Sequence, residues 1–295
     1  MSWELDSISD QSGKRVLVTG ANSGIGFEAA QVLAGKGVEV ILACRNQTKG
    51  EAALAAIRQA HPECQVSLMA LDLSSLQSIA AFVEEFKSRY TSLDVLINNA
   101  GVMAPPFSRT ADGFEMQFGT NHLGHFALTG QLLPLLEAAE AGRIVVVSSV
   151  AHRFGKISFS NLNGERRYWR WPAYAQSKLA NLIFAKELQR RLQKQGSKVI
   201  AVAVHPGYSD TNLQRHTPGG AVMNRIAQSQ LEGAMPTLYG ATETGLKGGE
   251  YIGPDGWMEL KGRPRMAYVA PKARDEAVAS RLWDVSESLT SVSYL

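Results

Sequence analysis

The stretch RVLVTGANSGIG, residues 15–26, joins an apolar run to a glycine-rich loop. Its first half, RVLVTG (15–20), is dense in branched apolar side chains, as expected of a strand buried on both faces. In the segment that follows, 24–36, apolar residues recur at the spacing of one helical face. Strand, glycine loop and helix in this order predict the first βα unit of an α/β fold.

The same alternation continues through the first two thirds of the chain. Further short, β-rich apolar runs stand at 38–44, 65–71, 93–99, 143–149 and 198–205. Segments with helical periodicity lie between them, at 75–90, 112–139 and 174–195. Because strands that alternate with helices imply right-handed βαβ crossovers, the pattern predicts a single-domain, Rossmann-like, doubly wound parallel sheet of about seven strands.

The regular alternation of apolar runs and helical segments ends after residue 206. A loop-like stretch leads to a helical pattern over 221–246, a turn-rich segment and a last helical pattern over 273–289. Ligands of open parallel sheets bind at the carboxyl ends of the strands, where late irregular segments cover them. We therefore expect one domain, 1–295. Its expected parts are a cofactor and catalytic core at 14–205, a C-terminal substrate lid at 206–265, and a helix and tail at 266–295.

Composition excludes several classes of partner. The 295 residues are 45% hydrophobic and carry a net charge of +3, with no block of five or more basic residues, so no nucleic-acid or membrane patch is expected. No apolar run approaches the roughly 20 residues of a membrane span. Two cysteines, Cys44 and Cys64, form no C-x-x-C pair, which favours a cytoplasmic protein without a metal site. His122 and His125 have a metal-binding spacing but no third ligand motif, so packing or hydrogen bonding is the preferred role.

The glycine loop TGANSGIG (19–26) is suited to a phosphate group. Gly20, Gly24 and Gly26 allow a tight turn and a close approach of the backbone to a ligand. The helix that follows offers free N–H groups and the positive end of its dipole. The spacing is G-x-x-x-G-x-G rather than the commoner G-x-G-x-x-G, and a plain tight βα turn is the alternative.

The end of the second strand indicates which nucleotide fits. NAD sites place Asp or Glu there to bind the ribose 2′-OH, whereas Arg accommodates a 2′-phosphate. Here the strand runs VILACRNQ, with Arg45 where the acid would stand. Since a guanidinium binds phosphate through paired hydrogen bonds, the sequence predicts NADP(H) in preference to NAD(H). A surface arginine without this role is the alternative.

Tyr174 and Lys178, in PAYAQSK (172–178), are four residues apart and share a helix face. A phenol is a weak match to neutral pH, and a neighbouring cation favours the phenolate, so the pair predicts a tyrosine of lowered pKa acting as acid and base. Ser149 ends the fifth apolar run and is placed to polarise a substrate oxygen, with Ser148 as the alternative. By itself the pair would be an ordinary surface contact of a helix.

Six features in order make the chain similar to the short-chain dehydrogenase/reductase family. They are Thr19-Gly20-x-x-x-Gly24-Ile25-Gly26, Asp72 after the third strand, Asn98-Asn99-Ala100-Gly101, Asn121, Ser149 with Tyr174 and Lys178, and Pro206-Gly207-x-x-x-Thr211. The segments NHLGHF (121–126), SKLANLIF (177–184) and YIGPDG (251–256) resemble its retinol dehydrogenase and protochlorophyllide reductase branch. The resemblance extends from residue 14 to about 211.

The resemblance implies site residues. Asp72 and Leu73 would contact the adenine, while Asn121 would kink its helix and anchor a water in a proton relay. The implied catalytic residues are Asn121, Ser149, Tyr174 and Lys178. The implied cofactor-binding residues are Gly20, Asn22, Ser23, Gly24, Ile25, Gly26, Arg45, Asp72, Leu73, Asn99, Ala100, Gly101, Tyr174, Lys178, Pro206, Gly207 and Thr211. Pairing of 112–139 and 174–195 between copies would give a homodimer or homotetramer.

One departure concerns the interval between Ser149 and Tyr174, which is longer than in much of the family. It resembles the insertion of the retinol dehydrogenase-like branch and contains Tyr168, Trp169 and Trp171. The two tryptophans flank the proposed catalytic tyrosine. We therefore expect both to form a wall of the substrate pocket, and burial in the core is the alternative.

The combined pattern predicts an NADPH-dependent oxidoreductase. It would interconvert a small-molecule carbonyl, a ketone or aldehyde of apolar or aromatic character, and an alcohol by hydride transfer, with Tyr174 as general acid/base. The alternatives are a non-catalytic NADP(H)-binding sensor on the same fold and a protochlorophyllide-type double-bond reductase. Since a sensor has no use for Ser149, Tyr174 and Lys178, their joint presence favours the enzyme.

Overall fold

A computed structural model of the protein describes residues 3–209 and 228–295. The strands in this part of the chain are β1 Arg15–Thr19, β2 Glu39–Cys44, β3 Val66–Ala70, β4 Val95–Asn98, β5 Arg143–Val147, β6 Ile200–Val204, β7 Tyr251–Pro254 and β8 Pro264–Met266. They form one eight-stranded sheet in the order β3-β2-β1-β4-β5-β6-β7-β8. Neighbours are parallel throughout, except that β8 pairs antiparallel to β7 at the edge.

Helices cover both faces of this sheet. They are α1 Gly24–Gly35, α2 Gln47–Ala60, α3 Leu76–Arg89, α4 Met116–Phe118, α5 Gly124–Glu137, α6 Arg170–Lys194, α7 Gln230–Thr242 and α8 Glu276–Thr290. Along β5, Ile144 and Val146 join one core cluster, with α3, α5, α6 and α8, while Val145 and Val147 join the other, with α1, α2 and α7. Burial on both faces is the reason why the strands read as continuous apolar runs.

The predicted α/β class is confirmed, and all six apolar runs contain strands. The strand β7 was not predicted, because the turn-rich composition of its segment concealed four buried residues. The helix α2 was not predicted either, since Gly50, Ala53 and Ile57 are its buried residues and give a weak apolar pattern. The sheet therefore has seven parallel strands and one antiparallel edge strand.

Two predicted helices begin or continue differently from the prediction. The segment predicted as one helix over 112–139 starts at Met116 and is interrupted by a π-helical turn, Gly119–Leu123, which joins α4 to α5. The helix α6 starts at Arg170, so that Pro172 lies inside its first turn, where a missing N–H leaves no hydrogen bond unmade.

Part of the predicted lid belongs to the body of the fold. The helix α7 begins at a capping box of Ser229 and Glu232, and residues 221–227 of the predicted helix lie outside the described residues. Its Gly233 lies against Ile25 of α1, and β7 and β8 extend the sheet. Within the described part of 206–265, the segments that border the functional cavity are Pro206–Ser209 and Leu260.

The C-terminal helix α8 covers the helices that were predicted to pair between copies. Its Trp283 contacts the rings of Phe126 in α5 and Phe184 in α6, with centroid distances of 5.0 and 6.1 Å. Tyr294, which follows α8, lies 5.0 Å from the ring of Phe126 and donates to its carbonyl oxygen. The face of α5 and α6 beneath these rings is therefore occupied by the same chain.

Candidate active site

The carboxyl ends of the central strands border a cavity of about 710 Å³. It is lined by most of the residues that the sequence singled out: Gly20, Asn22, Ser23, Gly24, Ile25, Gly26, Arg45, Asp72, Leu73, Asn99, Ala100, Gly101, Ser149, Tyr174, Lys178, Pro206 and Gly207. Asn121 lies behind this wall rather than in it. Thr211 lies outside the described residues.

The glycine loop is shaped by backbone conformation and by contact with the next loop. Gly20 and Gly24 have φ angles of 67° and 63°, in the left-handed region that glycine adopts without strain. A Cβ on Gly26 would lie 2.3 Å from Asn99 Nδ2 and 2.8 Å from the Gly20 carbonyl oxygen. Glycine at 26 therefore brings the start of α1 against the loop after β4, with the first N–H groups of α1 at the cavity.

The end of the cavity at β2 is basic. Arg45, Asn46 and Lys49 line it, and Asn46 caps α2 by accepting a hydrogen bond from the Lys49 N–H at 2.9 Å. The sequence predicted Arg45 alone, because Lys49 reaches the cavity only once α2 has formed. Asp72 lies at the end of β3, where its Oδ1 accepts from the N–H and hydroxyl of Ser74 at 2.9 and 2.6 Å.

The loop after β4 is held by Thr19, the last residue of β1. Thr19 Oγ1 accepts from the N–H groups of Asn99 and Ala100 at 2.9 and 3.0 Å, and the Asn99 side chain donates to the Thr19 carbonyl at 2.8 Å. These bonds fix the backbone of Asn99–Gly101 along the cavity wall.

Asn121 lies in the π-helical turn and holds the next part of this loop. Its Oδ1 accepts from the Val102 N–H at 2.8 Å, and its Nδ2 donates to the Val102 carbonyl at 3.0 Å and to Ser177 Oγ at 2.9 Å. The predicted irregularity of this helix is present. The side chain, however, contacts the loop and α6, and so positions the wall of the cavity from behind.

His125 connects Asn121 to Thr19. Burial lowers the pKa of His125 to about 4, so the ring is neutral at physiological pH. Its Nδ1 is 2.9 Å from the Asn121 carbonyl, which can only accept, and its Nε2 therefore accepts from Thr19 Oγ1 at 3.0 Å. His122 points elsewhere and pairs with Ser286 Oγ at 2.9 Å. Both histidines thus have hydrogen-bonding roles.

Ser149, Tyr174 and Lys178 meet on the cavity wall where β5 ends and α6 passes. Lys178 Nζ lies 5.9 Å from the centroid of the Tyr174 ring and donates to the Val147 carbonyl at 3.1 Å. Ser149 lines the same wall, and its hydroxyl opposes the rise in the pKa of Tyr174. Ser148 also lines the cavity, but its hydroxyl donates to the Lys178 carbonyl at 2.7 Å. The geometry therefore selects Ser149 over Ser148.

Burial dominates the acid–base properties of this group. It raises the pKa of Tyr174 to about 12, against the opposing effect of the Ser149 hydrogen bond, and it lowers the pKa of Lys178 to about 8. The expectation of a lowered tyrosine pKa is therefore wrong for this arrangement, because loss of solvent costs the phenolate more than its neighbours return. At neutral pH Tyr174 carries its proton, and Lys178 is mainly charged.

The aromatic insertion contributes one of its two tryptophans to the cavity. Trp171 lines it and meets the Tyr174 ring edge to face, with centroids 6.4 Å apart. Trp169 does not line it, since its ring lies against the Arg167 guanidinium at 4.7 Å. The prediction that both form the pocket wall is therefore wrong for Trp169, because the start of α6 turns the two side chains apart.

Further residues line the cavity without having been named individually by the sequence prediction, although Tyr208, Ser209 and Leu260 fall within the predicted lid. They are Met103, Thr120, Val150, Ala151, Phe154, Tyr208, Ser209 and Leu260. Their sequence positions carry no local motif, and the fold alone brings them together. The residues described, 3–209 and 228–295, contain no group of three or more His, Cys, Asp or Glu side chains that could hold a metal ion. Within the same ranges no helix is both long and apolar enough to cross a membrane.

A family model of the short chain dehydrogenases matches residues 14–219. The chain therefore belongs to the short-chain dehydrogenase family and is an oxidoreductase of that class. It is 44% identical to retinol dehydrogenase 12 of Homo sapiens over 288 residues, which cover 96% of this chain and 88% of that one. Retinol dehydrogenase 11 of Homo sapiens is 45% identical over 278 residues, 93% and 85% of the two chains. These relatives confirm the predicted retinol dehydrogenase branch.

Solved structures show the same architecture. An uncharacterized protein from Mycobacterium Paratuberculosis is 41% identical and superimposes with a TM-score of 0.84 over 100% of both chains. A protein from Shigella flexneri, described as a short chain dehydrogenase and complexed with NADP, is 25% identical with a TM-score of 0.67 and covers 82% of this chain and 97% of its own.

Proposed function

We propose that this protein is an NADPH-dependent oxidoreductase that interconverts a carbonyl compound, a ketone or aldehyde of apolar or aromatic character, and the corresponding alcohol. One observation carries the proposal. Ser149, Tyr174 and Lys178 share a wall of a cavity whose other end, at β2, carries Arg45 and Lys49. Because β1 and β4 separate β2 from β5, the cavity spans the distance between a phosphate-binding end and a reactive end.

The residues along the cavity fit a dinucleotide. The glycine loop and the start of α1 would bind the pyrophosphate, and Arg45, Lys49 and the capped start of α2 would bind a 2′-phosphate. The loop Asn99–Gly101 would line the adenosine, and Pro206 and Gly207 the nicotinamide. When bound, the nicotinamide supplies or accepts the hydride. The NADP bound to the related Shigella flexneri protein supports this assignment.

The reactive group supplies the proton. Ser149 Oγ donates a hydrogen bond to the carbonyl oxygen and draws charge onto it. The Tyr174 hydroxyl would give its proton to the carbonyl oxygen as the alcohol forms, which would leave a phenolate at Tyr174. The Lys178 ammonium stabilises that phenolate in a site where burial makes charge costly.

The acidities favour the reductive direction. With its pKa near 12, Tyr174 is protonated at pH 7 and is ready to donate. Alcohol oxidation requires the phenolate as a base, and burial makes this form rare at neutral pH. Reduction at neutral pH and faster oxidation at alkaline pH are therefore expected of the same site.

A carbonyl panel with NADPH and NADH tests the proposal. Oxidation of NADPH by at least one ketone or aldehyde is expected, and Tyr174→Phe should abolish it while the Kd for NADPH stays within about twofold. Ser149→Ala and Ser148→Ala form a matched pair. The first should lower kcat by about a hundredfold, the scale of one lost oxyanion donor, and the second by less than tenfold. Full turnover in the Tyr174 variant would refute the mechanism, and NADPH binding without turnover on any substrate would favour the sensor.

The cofactor preference has its own test. Arg45→Ala removes a charge that a 2′-phosphate would contact and NADH would not use. The KM for NADPH should rise at least tenfold, while the KM for NADH changes less than threefold. Equal effects on the two cofactors would remove Arg45 from the phosphate site.

A further inference from the structure

A buried carboxylate lies beside the substrate end of the cavity. Glu259 is 7% exposed and directly precedes Leu260, which lines the cavity. Met258 and Glu259 both have positive φ angles, 53° and 59°. Two consecutive residues with side chains remain in this strained region only where the surrounding contacts over-determine them. The contacts of Glu259 therefore hold both residues in this conformation.

Glu259 accepts hydrogen bonds from three segments of the chain. Its Oε2 lies 2.6 Å from Arg153 Nη2 and 3.1 Å from His205 Nε2, and its Oε1 accepts from the Tyr268 N–H at 2.8 Å. His205 Nδ1 accepts from the Gly207 N–H, so the proton of this ring is on Nε2 and points to Glu259. We call Glu259, Arg153, His205 and the Tyr268 N–H the Glu259 cluster.

The segments of Arg153, His205 and Glu259 itself also supply cavity wall. Arg153 adjoins Phe154, whose side chain is 81% exposed at the cavity. His205 precedes Pro206 and Gly207. The Leu260 carbonyl accepts from the Tyr208 N–H at 2.7 Å, and this bond joins the loop after His205 to the segment that contains Glu259.

The cluster also reaches Ser149 through its neighbour. His152 Nδ1 donates to the Ser149 carbonyl at 2.8 Å, and Tyr251 donates to the same oxygen at 3.2 Å. Arg153, next in the chain, is held by the carboxylate. The turn that begins at Ser149 is thus fixed by the hydrogen bonds of His152 and of Tyr251 in β7, and by the ion pair of Arg153 with Glu259.

We propose that Glu259 is a positioning residue for the reaction, which holds the Ser149 turn, the Pro206–Gly207 loop and Leu260 around the substrate. The proposal rests on the proposed carbonyl reduction, since the substrate end is defined by Ser149 and Tyr174. Glu259 does not line the cavity and acts through the segments it joins.

Only a carboxylate satisfies this cluster. Three donors converge on two acceptor oxygens, and Arg153 is charged. Glutamine at 259 has one acceptor oxygen and an NH₂ group, so in either orientation it turns a donor towards a donor. Glu259→Gln therefore keeps the size of the side chain and breaks the cluster.

Steady-state kinetics of Glu259→Gln test the role. For a bulky carbonyl substrate kcat/KM should fall at least tenfold, chiefly through KM. The Kd for NADPH should rise no more than about threefold, because the Pro206–Gly207 loop would contact only the nicotinamide, whereas Arg45 and the glycine loop, which would bind the phosphates, lie on other strands. Glu4→Gln is the matched control. Glu4 forms an exposed ion pair with Arg263, which lies in the loop that contains Glu259, and the kinetics of this variant should be unchanged. An equal rise in the Kd for NADPH would overturn the proposal.

A double-mutant cycle with Arg153→Met tests the connection between the two turns. If the ion pair joins them, the variant that carries both Glu259→Gln and Arg153→Met should lose little more kcat/KM than the more impaired of the two single variants, by a factor of about two at most. Losses that multiply would show that the two side chains act separately and would refute the clamp between the turns.

Hydrogen exchange gives a readout that needs no turnover. In Glu259→Gln the peptides covering 255–268 and 205–209 should exchange at least tenfold faster, with β1 unchanged. If the wild-type protein reduces no carbonyl but this difference is found, the proposed function fails and the structural part of the proposal stands. Unchanged exchange together with unchanged kinetics would refute the proposal outright.

Discussion

Replacing Lys178 with methionine should stabilise the fold while it removes the proposed activity. The Lys178 side chain is 5% exposed, and burial lowers its pKa from 10.5 to about 8. The folded protein thus disfavours the charged form that the mechanism requires. Methionine fills a similar volume without a charge, so the variant distinguishes the effect of this ammonium on the stability of the fold from its effect on the reaction.

The magnitude follows from the difference between the two pKa values. At 1.36 kcal/mol for each tenfold change, a buried ammonium with this pKa destabilises the fold by roughly 3 kcal/mol at pH 7. The penalty is complete below pH 8, decreases as the pH rises, and vanishes above the unfolded pKa of 10.5. Methionine gives up one hydrogen bond, worth about 1 kcal/mol. The Val147 carbonyl keeps a partner, because Asn181 Nδ2 also donates to it at 3.1 Å.

We therefore expect a net gain of about 2 kcal/mol at pH 7 and almost none at pH 9.5. Urea unfolding of the wild type and Lys178→Met at both pH values, without added nucleotide, measures the difference. In a thermal scan the gain at pH 7 corresponds to about 3 °C. Lys194→Met is the control, since Lys194 is exposed on the same helix, and its effect should be near zero at either pH.

Two results would refute this reasoning. A Lys178 variant that is less stable at pH 7 would show that the ammonium stabilises the fold. A gain that stays constant between pH 7 and 9.5 would show that its origin is packing and not the buried charge. Full carbonyl reduction by Lys178→Met would separately remove this residue from the reaction.

Three further predictions concern the cavity. Gly26→Ala places a Cβ 2.3 Å from Asn99 Nδ2, so the Kd for NADPH, measured by fluorescence titration, should rise more than tenfold; an unchanged Kd would show that this contact yields freely. Trp171→Ala should change the relative kcat/KM for large and small carbonyls at least fivefold, whereas Trp169→Ala should not; equal effects would place both rings at the substrate. Asn121→Ala removes the amide that holds both polar groups of the Val102 backbone, and kcat/KM should fall at least tenfold, an expectation that full activity would contradict.

The parts of the fold that the sequence predicted are those encoded by short segments. A strand buried on both faces must be apolar throughout, and a loop that turns beside a helix start must contain glycine. RVLVTG and the glycine loop satisfy both conditions within twelve residues. Arg45 is similar, since its position one residue past β2 places it at the cavity.

The parts that the sequence did not predict depend on distant segments. β7 is a strand because β6 offers it an open edge with which to pair. Its own glycine and proline do not predict a strand. Lys49 reaches the cavity because the helix α2 places it there. Two partners of Glu259, Arg153 and His205, lie more than fifty positions earlier in the chain. The pKa of Tyr174 is the clearest case. Its neighbours in sequence favour phenolate, but burial, which is a property of the whole fold, decides the direction.

The arrangement around α6 separates the reaction from substrate choice. Tyr174 and Lys178 are fixed to β5 by hydrogen bonds from Lys178 and Asn181 to the Val147 carbonyl and from Ser148 to the Lys178 carbonyl. The insertion ahead of α6 meets this helix through a hydrogen bond from the Ser158 N–H to Gln176 Oε1 at 2.8 Å, while its part next to Trp171 is attached elsewhere.

Within that insertion, the Tyr168 hydroxyl donates to the Pro105 carbonyl at 2.9 Å and accepts from Gln117 at 3.0 Å. These bonds lie on the α4 side of the cavity and share no atom with the β5–α6 contacts. Changes within the insertion can therefore reshape the wall at Trp171 while the distance between Tyr174 and Lys178 is maintained. Substrate range should accordingly vary with the insertion at nearly constant cofactor affinity, whereas a change at Ser148 or Asn181 should affect every substrate alike.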